Sequence, residues 1–149
     1  MWIYIILGII AVLLVAIVGI YNRLAKQKVM VSEASADIET FQKQRYDMIP
    51  NLVEIVKGYA KHERETFEKV TEMRAKAMGA TSFDEKAKLE DQLSNMISKI
   101  FAVAENYPEL KANTNFLNLQ TNLKDLEDNI QKSRRYYNGA VRDFNSMIA

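Results

Sequence analysis

Cysteine is absent from this 149-residue chain, which removes disulfide staples, thiol nucleophiles, thiolate metal sites and lipidated cysteines together. A single histidine, His62, removes most of the remaining acid–base and metal chemistry. Five glycines and two prolines are too few for a chain of many short strands, which needs turn residues about every 8 to 12 positions. Neither sign of charge dominates: 20 Lys and Arg against 19 Asp and Glu give a net charge of +1, so no strong field recommends nucleic acid as a partner. Charge is missing altogether from the first 22 residues. Over the whole chain the composition is ordinary, with 48% hydrophobic and 26% charged residues, and it implies a buried core in place of a solvated tail. These features together predict an all-α chain with one apolar segment at its start.

That segment, Trp2 to Ile20, reads WIYIILGIIAVLLVAIVGI, about the length a helix needs to cross a hydrocarbon core. A cleaved signal peptide would carry a basic stretch before the apolar run, and here only Met1 precedes it, so the segment reads as a retained anchor in a lipid bilayer. Trp2, Tyr4 and Tyr21 sit at its two ends, where amphipathic rings settle among headgroups. Arg23, Lys26 and Lys28 follow on the C-terminal side, which by the positive-inside rule places the bulk of the chain in the cytoplasm and the N-terminus outside. No small residue recurs at a spacing of four, so the close-packing dimer motif of membrane helices is missing. The expected division is a single-pass anchor over residues 1–22 and a helical domain over residues 23–149.

The rest of the chain has helical periodicity throughout. Steps of three and four from Leu24 visit Gln27, Val31, Ala34, Ile38, Phe41, Arg45 and Met48, a first amphipathic helix that can run on from the anchor. Pro50 predicts a boundary near residues 48–50, because proline has no amide hydrogen and disfavours helical geometry at the residue before it. A second helix would bury Leu52, Val53, Val56, Tyr59, Ala60, Phe67, Val70 and Met73 and stop near Met78 and Gly79, its stripe weakest at residues 62–65. Ser82 with Glu85 forms a capping-box pattern that starts a third helix, with Leu89, Leu93, Met96, Ile97, Ile100, Val103 and Tyr107 inward and Pro108 closing it. Asn113, Thr114 and Asn115 offer caps for a fourth. Its seam is the most regular: Phe116, Leu119, Leu123, Leu126, Ile130, Ser133, Tyr137, Ala140, Phe144 and Met147. Four such helices with short connections predict an antiparallel up-down four-helix bundle.

Catalytic patterns are not found. His62 lacks a second histidine four residues on, where Thr66 stands, and position 59, three before it, is Tyr, so neither a zinc-protease helix nor a di-iron bundle fits. The expectation is no enzyme activity and no cofactor or metal. Gly58, Gly79 and Gly139 are isolated and follow no strand, so no phosphate loop is present. Lys132, Arg134, Arg135 and Arg142, interleaved with Tyr136 and Tyr137, form a basic stretch that reads mainly as a charge-laced helix face, given Asp125, Glu127, Asp128 and Asp143 nearby. Arg45 and Ser133 are polar groups on apolar seams. An arginine there must be paired, with Glu105 or Asp47 as candidate partners, and it can fix helix register. Pro50 and Pro108 are expected to set corners, and Tyr46, Tyr107, Tyr136 and Tyr137 to fix bundle ends through their hydroxyls.

The run Arg45 to Glu54 (RYDMIPNLVE), continuing into VKGYAKHE, resembles the signature of the LemA family of bacterial membrane proteins. AENYPELKAN at Ala104–Asn113, NFLNLQ at Asn115–Gln120 and RRYYNGAVRDFN at Arg134–Asn145 are similar to the family's other blocks, and Tyr21-Asn22 after the apolar run also fits. The chain departs from the pattern at Ser35, where the family often has tryptophan, and ends at Ala149 where many members continue, as a truncated end or a short member would. The resemblance implies an N-terminal anchor before an antiparallel four-helix domain, residence in a bacterial cell membrane, and no established enzyme activity. It also implies a link to membrane remodelling and organelle-like compartments. Residues and resemblance together lead to the expectation of a non-enzymatic, membrane-anchored scaffold that forms a homo-oligomer through the anchor and the coiled-coil-like seam of the fourth helix, building higher-order assemblies or filaments that organise or remodel membrane. The alternative is a monomeric adaptor binding another protein, such as a protease, a chaperone or a signalling partner.

Overall fold

The computed structural model describes every residue from Met1 to Ala149. It is all-helical: α1 spans Trp2–Tyr59, α2 Arg64–Gly79, α3 Phe83–Ala104, α4 Pro108–Lys111 and α5 Thr114–Ile148, with no strand.

The apolar segment and the first amphipathic stretch form one helix, and Pro50 does not end it. This corrects the boundary expected at residues 48–50. Proline at position 50 deprives the carbonyl of Tyr46 of its intrahelical donor. That carbonyl is served from α2, where Arg74 Nε donates to it at 2.7 Å. With the vacant acceptor satisfied, the helix continues for two and a half more turns to Tyr59, about 87 Å in all. The break falls instead at residues 60–63. Between Ala60 and Phe67 the sequence offers no apolar side chain, and a helix turn without a face to bury gains little from packing.

Pro108 also departs from expectation. The third helix has already ended at Ala104, and Pro108 opens the short α4 as its first residue, where its missing amide hydrogen has no helical partner to lose. Tyr107, restricted by the proline after it, is extended with φ −122° and ψ 91°. Two expected caps are present. Ser82 Oγ accepts from the amide of Glu85 at 3.2 Å to start α3, and Asn113 Oδ1 accepts from the amide of Phe116 at 3.1 Å to start α5.

The chain divides into two compact units. The core unit, Thr40–Ile130, collects Ile49, Leu52 and Val56 of α1, Phe67 and Val70 of α2, Leu93, Ile97 and Ile100 of α3, Leu110 of α4, and Phe116 and Leu123 of α5 in one cluster. Phe101 meets Phe116 edge-on, with centroids 6.1 Å apart. The anchor unit comprises Met1–Glu39 and Gln131–Ala149, where Ala34 and Ala140 are the buried residues. Every residue from Met1 to Arg23 is exposed, so this first stretch of α1 is not covered by the rest of the chain, and it is apolar and long enough to span a membrane. All ten seam positions of α5 are buried or half-buried, as their spacing predicts.

Candidate functional site

Polar chemistry inside the core unit converges on Arg45. This residue takes an apolar-stripe position on α1, so the packing that buries its neighbours Ile49 and Leu52 buries it too, to 1% exposure. A guanidinium out of water must be paired at several donors. Nη2 donates to Glu90 of α3, while Nη1 donates to Glu127 of α5 and to Ser94 Oγ at 2.8 Å. The hydroxyl of Tyr46 donates to the second oxygen of Glu90. Ser94 Oγ lies 2.9 Å from a Glu127 carboxylate oxygen and 3.1 Å from the Glu90 carbonyl, and its one proton serves either. Side chains from α1, α3 and α5 are thus fastened at one level of the core.

Two carboxylates face one guanidinium, so the cluster carries a net charge of −1 when all three are ionised. Burial decides how that charge is tolerated. Glu90 is fully buried and takes donors on both oxygens, whereas Glu127 is 32% exposed and keeps water on one side. Arg45 Nε and Gln42 Oε1, both buried on α1, have no partner. Beside the cluster lies an open groove of about 820 Å³, lined by Arg45, Ser94, Phe101, Thr121, Lys124 and Asp128 among others.

Of the residues singled out from sequence, the structure brings Arg45 and Tyr46 together. Arg45 does not pair with either expected partner: Asp47 points to solvent, and Glu105 pairs with Lys111. The Tyr46 hydroxyl donates to Glu90 inside the core, from a position well within α1 and not at a helix end. Pro50 lies mid-helix on the surface, Tyr107 is half-buried before α4, and Pro108 is exposed. Arg135 and Tyr136 are exposed, and Tyr137 is half-buried in the anchor unit. His62 is exposed in the connection after α1.

Sequence reasoning missed Glu90, Ser94 and Glu127. For Glu90 a signal existed: counting back in threes and fours from Ala104 gives Ile100, Ile97, Leu93 and then Glu90, all buried. A carboxylate in register with an apolar stripe is a partner for an arginine in register with another. Glu127 flanks the seam residue Leu126 and carries no comparable mark.

The LemA family profile matches residues 34–149, which include every member of the Arg45 cluster. Protein LemA of Metamycoplasma hominis is 29% identical over 133 residues, covering 88% of this chain and 60% of that relative's own length. This chain therefore spans about 60% of the curated relative it matches.

Proposed function

The chain belongs to the LemA family, and from that premise we propose that it is a non-enzymatic, membrane-anchored helical scaffold that self-associates into higher-order assemblies organising or remodelling the bilayer. The family is not known as an enzyme family. The observation that carries the reading is the continuity of α1. One unbroken helix bears a fully exposed apolar segment over its first 20 residues and then supplies the core of the folded domain. In this reading the helices form an antiparallel up-down bundle. Arg23, Lys26 and Lys28 hold the domain on the cytoplasmic side of a bacterial cell membrane. The buried Arg45 cluster serves as a register pin, because one guanidinium on α1 holds a carboxylate from α3 and another from α5.

Light scattering and electron microscopy of the full-length protein in gentle detergent test this reading. Large regular particles, lost when residues 1–22 are removed, are the expected result. A monodisperse monomer overturns it and favours a tethered adaptor, for which the polar groove beside Arg45 is the natural contact surface.

A further inference from the structure

Just past the apolar run, α1 carries cations with no acid among them. Arg23, Lys26 and Lys28 are the only charged side chains between Met1 and Ser32, and the first acid in the chain is Glu33. All three are exposed, and none is in an ion pair within the chain. Because α1 is unbroken from Trp2 to Tyr59, their heights along it are fixed. Counting about 1.5 Å per residue, Arg23 stands about 4.5 Å beyond Ile20, Lys26 about 9 Å and Lys28 about 12 Å. The headgroup layer on each side of a hydrocarbon core is about 5 to 8 Å deep. For a helix standing along the membrane normal, Arg23 therefore lies inside that layer, and the flexible stems of Lys26 and Lys28 let their ammonium groups bend back to it. Glu33, about 20 Å beyond Ile20, stands more than a Debye length above it. The rest of the anchor unit, Gln131–Ala149, covers one face of α1 here, the face of the half-buried Leu24, Gln27, Met30 and Val31. At about 100° per residue, Lys26 and Lys28 leave the helix about 100° to either side of that face, with Arg23 between Lys26 and the face. The last two turns of α5 add Arg142 and Asp143, which offset each other.

We infer that Arg23, Lys26 and Lys28 form a collar that binds acidic phospholipid headgroups and enriches them around the anchor. A headgroup phosphate is the anion that each of these side chains fits: the guanidinium of Arg23 can donate to two of its oxygens, and the lysines act as point charges. No carboxylate at that height competes for the cations, and their spread around the helix lets each meet a different lipid. Attraction of this kind is stronger at the bilayer surface than in bulk water, because the neighbouring hydrocarbon lowers the local dielectric. No charged side chain stands at the other end of the run, so the enrichment belongs to the leaflet nearer the folded domain. The inference rests on the bilayer anchoring proposed above and adds which lipids the anchor selects; it does not depend on self-association.

The test reconstitutes the full-length protein into vesicles of about three parts phosphatidylcholine to one part phosphatidylglycerol, excises it with its surrounding lipid in polymer-bounded discs, and counts the two lipids by phosphorus NMR. Each cation near an acidic surface favours it about fivefold, so after dilution over the whole ring of lipid the discs are expected to hold phosphatidylglycerol at least about twofold above the vesicle average. Raised salt before excision is expected to shrink the excess. The variant Arg23→Gln with Lys26→Gln and Lys28→Gln is expected to return the discs to the vesicle average. Lys132→Gln with Arg135→Gln, which removes two exposed cations of α5, is expected to keep the excess. All five side chains are exposed, so circular dichroism is expected to match the parent in both variants. A parent at the vesicle average that stays in the vesicles through an alkaline wash overturns the inference and leaves anchoring intact. An excess that survives in the collar variant, or falls equally in both variants, overturns the collar as its cause. A parent stripped from the vesicles by the wash overturns the anchoring itself, and the inference with it.

Discussion

Arg45 is worth more broken than whole. Its pairing with Glu90 exchanges two hydration shells for one buried contact, and such exchanges are close to neutral against apolar packing of the same volume. Removing one partner strands the other. Arg45→Met is expected to destabilise the core unit by about 3 to 5 kcal/mol in urea unfolding, because Glu90 is then left at 0% exposure with only Tyr46 as donor. Adding Glu90→Leu to that variant is expected to recover most of the loss. If both variants are equally unstable, the cluster contributes more than pairing. A second residue-scale device is the Arg74 contact to the Tyr46 carbonyl. Arg74→Ala is expected to cost about 1 to 3 kcal/mol, the penalty of an unmet buried acceptor. In a Pro50→Ala background, where residue 50 regains an amide hydrogen for that carbonyl, the same substitution is expected to cost about 1 kcal/mol less. A double-mutant cycle with no coupling between positions 50 and 74 would contradict this account.

Elements were legible wherever the sequence carried a local signal. Ser82 and Asn113 capped where their side chains predicted, and Gly79 ended α2 as expected. The α5 stripe needed no tertiary information, since a heptad spacing fixes its own buried face. Replacing Leu123 or Ile130, both nearly fully buried, by Ala is expected to cost about 2 to 5 kcal/mol, while Leu117→Ala, at 44% exposure, should change melting little. What was not legible depended on partners far along the chain. Pro50 is read as a breaker because the donor that rescues its helix lies 28 residues away from the carbonyl it serves. Glu90 is not singled out from the sequence as the partner of Arg45, because the two lie 45 residues apart. On α2 the exposed i,i+4 pairs bind charge to helix. Hydrogen bonding to Lys69, then its charge, holds Glu65 below its ordinary 4.5, and Lys76 does the same for Glu72. A carboxylate lowered in the folded state contributes stability above its unfolded value and loses it as pH falls through the lowered one. Helicity of α2 is therefore expected to weaken below about pH 4.5, and Glu65→Gln with Glu72→Gln should flatten that dependence. The pairs are fully exposed and screened, so salt should shrink the effect.

At the scale of the whole molecule, burial is distributed unevenly between the two compact units, and opening free energy follows burial. The core unit holds the entire apolar cluster, whereas the anchor unit buries two alanines, whose small side chains contribute little transfer free energy. Backbone hydrogen bonds in residues 24–39 and 131–148 are thus protected mainly by local helix formation, and those around Ile49, Ile100 and Leu123 by global unfolding. Hydrogen exchange read by mass spectrometry on dilute monomer is expected to show the first set exchanging at least about tenfold faster than the second. Equal protection in both sets would mean that the anchor unit is buttressed by something beyond its own two helices. Raising the protein concentration discriminates further. If copies pair through this unit, protection there should rise with association while the core unit stays unchanged, because only the half-covered seams have surface left to bury.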